Sequence, residues 1–190
     1  METIYFTEDS ELVYIGAYVF WLSNLHYINV PKSVVEIDKY AFYDCCEFYE
    51  VNFAENGELL AIDEYAFGKD FRLKTVEFPD KLITIDEYAF IESGLEGTVT
   101  IPGSLAGYGE GIFAACHDLK NIKVDVTNPY FEDVDGVVFT KDGTALIEYP
   151  AGKEYSEYTV KDGVDSIYDS AFYGTHAIEH VYLPESLVYI

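Results

Sequence analysis

Apolar positions recur along this chain with a long period and a shorter one nested inside it. The long period is carried by a six-residue phrase, Ile85-Asp86-Glu87-Tyr88-Ala89-Phe90. Ile62-Asp63-Glu64-Tyr65-Ala66-Phe67 repeats it, and Ile37-Asp38-Lys39-Tyr40-Ala41-Phe42 differs at one position. Looser copies stand at Ile15-Gly16-Ala17-Tyr18-Val19-Phe20, Tyr108-Gly109-Glu110-Gly111-Ile112-Phe113 and Ile167-Tyr168-Asp169-Ser170-Ala171-Phe172, all ending in Phe. The phrases start at 15, 37, 62, 85, 108 and 167, in steps of 22, 25, 23, 23 and 59, and Ile190 lies another 23 residues on. Recurrence every 20–30 residues predicts a solenoid, in which each unit buries its apolar face only against its neighbours.

The shorter period follows each phrase: Leu25-x-x-Ile28-x-Val30, Phe48-x-x-Val51-x-Phe53, Leu73-x-x-Val76-x-Phe78, Leu95-x-x-x-Val99-x-Ile101, Leu119-x-x-Ile122-x-Val124 and Ile178-x-x-Val181-x-Leu183. Alternation over so few residues predicts a short strand with one buried face. Pro31, Pro79, Pro102 and Pro184 close four of these strands, where a missing N–H ends the ladder without harm. The Ala-Phe half of each phrase reads as a helical turn with its Phe inward, and the Asp before it as an N-cap. The expected architecture is an α/β repeat in one domain spanning residues 1–190: a parallel sheet on one face, short helical turns opposite.

Residues 4–15 match 51–62 at a constant offset of 47, so the chain is expected to open on the strand of an incomplete turn and to be cut from a longer array. The 59-residue step holds one ordinary unit plus an excess of 36, placing an insertion at about 126–160. Within it, Val137-Val138-Phe139-Thr140 and Ala145-Leu146-Ile147-Glu148-Tyr149 flank Lys141-Asp142-Gly143-Thr144, a strong β-hairpin signal. Tyr158-Thr159-Val160 reads as a further strand.

Composition narrows the partners. With 35 acidic and 11 basic side chains, the net charge of −24 disfavours nucleic acid, whose phosphates need clustered Lys and Arg, and anionic membranes. A hydrophobic content of 49%, with 18 Tyr and 13 Phe, argues for a folded chain despite that charge. No apolar run approaches the roughly 20 residues of a spanning helix, and no export signal opens the chain. Cys45 and Cys116 each lie three residues after a repeat Phe, in turns about 14 Å apart if turns stack at ~4.8 Å, so free buried thiols are expected, with Cys46 exposed.

These phrases and strands resemble the BspA-type leucine-rich repeat family of bacterial surface proteins, whose units read roughly Ile-Gly-x-x-Ala-Phe-x-x-Cys-x-x-Leu-x-x-Val-x-Ile-Pro. The resemblance covers nearly the whole chain, including the Asp135-Gly136-Val137-Val138-Phe139 hairpin. Three phrases carry Asp where the family has Gly, and the fifth begins on Tyr108. The resemblance implies a leucine-rich-repeat solenoid that is extracellular or displayed at the cell surface and tied to adhesion to host or neighbouring-cell proteins.

Four constellations bear on chemistry. His176-Ala177-Ile178-Glu179-His180 spells an inverted zinc-protease pattern, but Ile178 and Val181 are core positions entering a strand, so the two imidazoles should diverge; a zinc-dependent hydrolase at His176/His180 is the remote alternative. Asp38, Asp63 and Asp86 should stack on consecutive turns, either as caps or as calcium ligands, and Asp133-Val134-Asp135-Gly136 opens like a calcium loop without completing one. Tyr18, Tyr40, Tyr65 and Tyr88 form a column that either binds or merely covers the outer layer. The outward sheet face is the favoured site for a protein, or alternatively a glycan: Tyr27, Asn29, Glu50, Asn52, Thr75, Glu77, Thr98, Thr100, Asn121, Lys123, His180 and Tyr182. No nucleophile, base and orienter converge there, so no catalytic residue, cofactor or metal is assigned. The alternative is a passive spacer, kept soluble by its charge.

Overall fold

Each phrase with its alternating segment closes one turn of a β-solenoid. The computed structural model describes residues 1–7 and 9–190; Glu8, inside the 4–15 match, lies outside the described residues. In chain order the strands are β1 (Tyr14–Ile15), β2 (Tyr27–Val30), β3 (Glu36–Ile37), β4 (Glu50–Phe53), β5 (Ala61–Ile62), β6 (Thr84–Ile85), β7 (Glu96–Ile101), β8 (Gly107–Tyr108) and β9 (Asp118–Val124). A meander of β10 (Phe131–Val134), β11 (Val137–Thr140) and β12 (Ala145–Glu148) follows, then β13 (Glu157–Thr159), β14 (Ser166–Ile167) and β15 (His180–Tyr182). The two-residue strands β1, β3, β5, β6 and β8 form one parallel sheet that aligns Ile15, Ile37, Ile62, Ile85 and Tyr108. Leu146 and Ile167 align in the same way further on, which makes about seven turns.

The helical turns expected at the Ala-Phe positions are not there: among the described residues no helix occurs. Tyr18, Tyr40, Tyr65, Tyr88 and Ser170 all have φ near +57°, a left-handed conformation that a right-handed helix cannot contain. The carbonyls point along the stack instead. The N–H groups of Tyr40, Phe42 and Asp44 donate to the carbonyls of Glu64, Ala66 and Gly68, and those of Tyr65, Phe67 and Lys69 to Glu87, Ala89 and Ile91. Inter-turn bonds thus satisfy the backbone that a helix of one or two turns, too short to nucleate, could not. With no helix there are no N-caps either: the Asp38 side chain accepts only from the adjacent Lys39 N–H, at 2.7 Å.

The Phe residues do point inward. Phe42, Phe67, Phe90 and Phe113 are buried and stack at centroid separations of 5.0 Å, 5.1 Å and 5.7 Å. Cys45 and Cys116 are buried beside them and Cys46 is exposed. The Cys45 Sγ donates to the Phe20 carbonyl and the Cys116 Sγ to that of Phe90. Burial pushes the two thiols up to about 11 and about 12. Because the thiolate is the reactive form, a disulfide reagent at pH 8 should titrate Cys46 alone in the native protein and all three cysteines in denaturant. Rapid native reaction at two or more cysteines would contradict this core.

The longer strands do not make one sheet. They pair as β2–β4, β7–β9 and β13–β15, all parallel. The strand expected at Leu73–Phe78 is not formed, although Leu73 and Val76 are buried as its pattern requires. The break lies beside the connection from β4 to β5, residues 54–60, which is two residues longer than that from β2 to β3, residues 31–35.

The insertion read at 126–160 resolves into two parts. The Asp135-Gly136 and Asp142-Gly143 turns close the antiparallel meander β10–β11–β12, and β12 joins β14 in parallel to start another turn of the solenoid. In that turn Tyr149 takes the Phe position: its N–H donates to the Ala171 carbonyl and its ring stacks on Phe172 at 5.3 Å. Only two residues separate Leu146 from Tyr149, against four between Ile85 and Phe90, and the Phe113 N–H does not donate to a backbone carbonyl as the Phe90 N–H does to Ile112. Glu148 takes the carbonyl's place. One carboxylate oxygen accepts from Phe113 N–H at 2.8 Å and the other from the Tyr108 hydroxyl at 2.6 Å.

Candidate functional site

The outward face of the longer strands is positioned by strand register. In β2–β4, Tyr27 lies opposite Glu50 and Asn29 opposite Asn52; the Asn52 amide donates to Asn29 Oδ1 and to Glu50 Oε1, each at 3.0 Å. In β7–β9, Thr98 lies opposite Asn121 and Thr100 opposite Lys123. His180 and Tyr182 sit on β15 opposite Glu157 and Thr159. Ten of these side chains are exposed and two, Tyr27 and Asn121, are half-buried.

They form three neighbourhoods. The first is the β2–β4 ladder with Thr75 and Glu77. These last two belong to the unpaired segment, and a cleft of about 590 Å³ opens between it and β4. Glu50, Asn52, Glu55, Thr75, Glu77 and Asp80 line that cleft, and its one cation, Lys81, is held by Glu58 at 2.7 Å. The second surrounds Asn121 and Lys123, where the meander folds over the β9 edge: Lys123 Nζ meets Asp133 Oδ2 at 2.8 Å, and Ile122 N–H donates to the Gly136 carbonyl. Lys123, with the Val124 and Gly136 N–H groups, holds the Asp133 carboxyl below its usual range, although burial acts against them. The third neighbourhood is β15, beyond the meander.

The pattern around His176 does not assemble. His176 packs against His117 with the rings tilted at 30° and a centroid distance of 4.6 Å, while His180 is exposed on β15. Among the described residues the group within metal-ligand reach is instead Glu36, Asp38 and Asp63, whose oxygens lie within 4.8 Å of one another. Burial, then Glu36, Asp86 and Asp38, push Asp63 up to about 6, and burial raises Asp86. Calcium takes six to eight oxygens, and with one oxygen from each residue these three carboxylates supply three. The tyrosine column forms as read: Tyr18, Tyr40, Tyr65 and Tyr88 stack at 5.1 Å, 4.8 Å and 5.2 Å, with Tyr40, Tyr65 and Tyr88 half-buried.

Sequence reasoning passed over three features: the cleft beside the unpaired segment, the buried Asp70 and the buried Glu148. Glu148 had a signal, a carboxylate inside the run Ala145–Tyr149 where every neighbour is apolar or aromatic. Asp70 had one too, standing in the column of Ser23, Cys45, Ser93 and Cys116 where the other side chains are neutral.

A family model described as a BspA type leucine rich repeat region matches in six copies, over residues 13–134 and 151–190. Among solved structures, the chain is similar to the pneumococcal vaccine antigen PcpA, with 26% identity and a TM-score of 0.64 over 94% of this chain and 38% of that one. It is also similar to a leucine-rich repeat protein of Eubacterium ventriosum, at 21% identity and a TM-score of 0.72 over 87% of this chain and 49% of that one. A leucine rich cell surface protein of Faecalibacterium prausnitzii aligns at 24% identity and a TM-score of 0.62, over 94% of this chain and 60% of that one. The chain therefore spans less than two thirds of each of these three. No curated protein sequence matches it. These similarities indicate no catalytic family, and no helix among the described residues is long and apolar enough to cross a membrane.

Proposed function

The chain belongs to the BspA-type leucine-rich repeat family, and from that premise we propose that it is a non-enzymatic, cell-surface module that binds a host or neighbouring-cell protein through its outward strand face. The observation that carries this reading is the composition of that face: Tyr, Asn, Thr, Glu and His side chains held in register on rigid parallel pairs, with no catalytic constellation among them. Aromatic and amide groups on a preorganised backbone bind with little loss of side-chain entropy. One structural relative is named a cell surface protein, which supports the location.

The test is a binding screen of the monomeric chain against immobilised matrix and epithelial proteins at physiological salt. Tyr27→Ala and Tyr182→Ala should each weaken a saturable interaction about tenfold, or ~1.4 kcal/mol, without changing the fold. Unchanged affinity in both would move the site elsewhere. Absence of any saturable ligand would favour a passive spacer, whose observable basis is the net charge of −24.

A further inference from the structure

The meander, β9 and the turn that begins at β12 enclose a second pocket of about 420 Å³, lined by Asn121, Lys123, Asp135, Val137, Tyr149, Lys153, Tyr155 and Tyr158. We propose that this pocket binds a carboxylate-bearing saccharide, a uronic or sialic acid unit of a surface glycan. Two side chains there carry polar capacity that their protein contacts do not use up.

Tyr149 is the first. It fills the column that Phe20, Phe42, Phe67, Phe90, Phe113 and Phe172 occupy in the other turns, so a phenyl ring is what packing requires. Yet it carries a hydroxyl that is buried without a hydrogen-bond partner, on a residue that lines the pocket. A buried unmatched hydroxyl costs about 1–3 kcal/mol, which phenylalanine would avoid.

Lys153 is the second. It is only 8% exposed and forms no ion pair among the described residues. Its ammonium donates to the Asp135 carbonyl at 2.6 Å and to Asn121 Oδ1 at 3.4 Å, both neutral oxygens, while the Asp135 and Asp133 carboxylates act on it from beyond ion-pair distance. A buried ammonium is stabilised most by an anion, and its third N–H remains to meet one.

The walls select the class. Tyr155 is 64% exposed with Lys153 Nζ 5.6 Å from its ring centroid, so it offers a face on which the apolar side of a pyranose can lie. The Asn121 amide and the Asp135 carboxylate present acceptors and a donor for ring hydroxyls. The volume suits one or two sugar rings, and the acidic body of the protein repels a densely sulfated or phosphorylated polymer. Asn121 and Lys123 also belong to the outward strand face, but Tyr27 and Tyr182, which test protein binding, do not line this pocket.

Calorimetric titration at low salt with trigalacturonate, N-acetylneuraminyl-lactose, maltotriose and inorganic phosphate distinguishes the possibilities. The expected result is saturable 1:1 binding of at least one acidic saccharide, with Kd of about 1 mM or tighter, and at least tenfold weaker binding of maltotriose. Which acidic saccharide binds identifies the source. Tyr149→Phe and Lys153→Met should each weaken that binding at least tenfold without lowering the Tm. Tyr149→Phe restores the ring of the other turns, so it decides the matter even if Lys153→Met folds poorly. Equal binding of maltotriose, phosphate binding as tight as the saccharide, wild-type affinity in Tyr149→Phe, or no heat from any acidic saccharide would each overturn the assignment.

Discussion

Phe67→Ala should lower the unfolding free energy by about 3–5 kcal/mol, the range for removing a fully buried aromatic ring. Phe67 lies at the middle of the column, stacked on Phe42 at 5.0 Å and Phe90 at 5.1 Å and within 6.1 Å of Phe48. The loss is not local. Each turn is stabilised only by its neighbours, so a cavity at one interface weakens the coupling between the turns on either side. Tyr65→Ala is the control: its ring stacks in the outer, half-buried column and should cost about 1 kcal/mol. Urea titrations of the two variants test the contrast, and equal losses would mean that the Phe column is not the core.

A second large effect concerns pH. Stability should be greatest near pH 4–5 and should fall as pH rises to about 7, because burial holds several carboxyls, Glu148 and Asp70 foremost, above their usual range in the folded state. Burial pushes Glu148 from 4.5 up to about 7, only partly offset by hydrogen bonds from Tyr108 and Phe113. Burial likewise holds Asp70 well above its usual range; one oxygen accepts from Cys45 N–H at 2.9 Å and the other has no partner. The folded state retains these protons over a window in which the unfolded chain has lost them, so unfolding becomes easier as pH rises through that window and then levels off. For Glu148 the change is on the order of 3 kcal/mol. The lowered carboxyl of Asp133 acts in the opposite sense, but only below its ordinary 3.8.

Glu148→Gln should reduce that slope while keeping an acceptor for Phe113 N–H, the remainder coming from Asp70 and Asp63. Asp70→Asn should raise stability at pH 8 by at least about 1 kcal/mol, because it removes a buried carboxyl whose ionisation there favours the unfolded chain. Glu148→Ala should instead destabilise by about 3 kcal/mol at any pH, since it strands the Phe113 N–H and the Tyr108 hydroxyl together. Chemical unfolding at pH 5 and pH 8 separates these cases; a wild-type slope in Glu148→Gln would show that Glu148 is not the titrating group.

How far the chain could be read in advance differs from element to element. The inward Phe positions, the prolines after β2 and β7, and the meander closed by Asp142-Gly143 all follow from local pattern, because burial periodicity and turn chemistry are local properties. The Ala-Phe turns were misread because Ala, Glu and Lys favour helix in isolation, whereas the carbonyls of the next turn supply better-placed partners. The candidate face was legible residue by residue, since alternation assigns Asn29, Asn52, Thr98 and Thr100 outward. Its division into three neighbourhoods was not, because the break at Thr75–Phe78 and the meander lying over Asn121 and Lys123 depend on how whole turns stack.

By itself, then, the amino-acid order determined the repeat length, which side chains face in as far as Val124 though not Val181 and Leu183, which are exposed, and where most strands end, since each of these is set by the period of apolar residues and by the few residue types that tolerate a turn. Only the tertiary structure decided what Glu148, Tyr149 and Lys153 do. In the sequence they are a carboxylate beside an apolar run, a tyrosine at a phenylalanine position and one lysine among eleven cations. Their roles arise from residues 18 to 40 positions away: Phe113 and Tyr108 against Glu148, and Asp135 and Asn121 against Lys153. Such contacts are created when turns stack, and no local pattern of hydrophobic and polar positions encodes them.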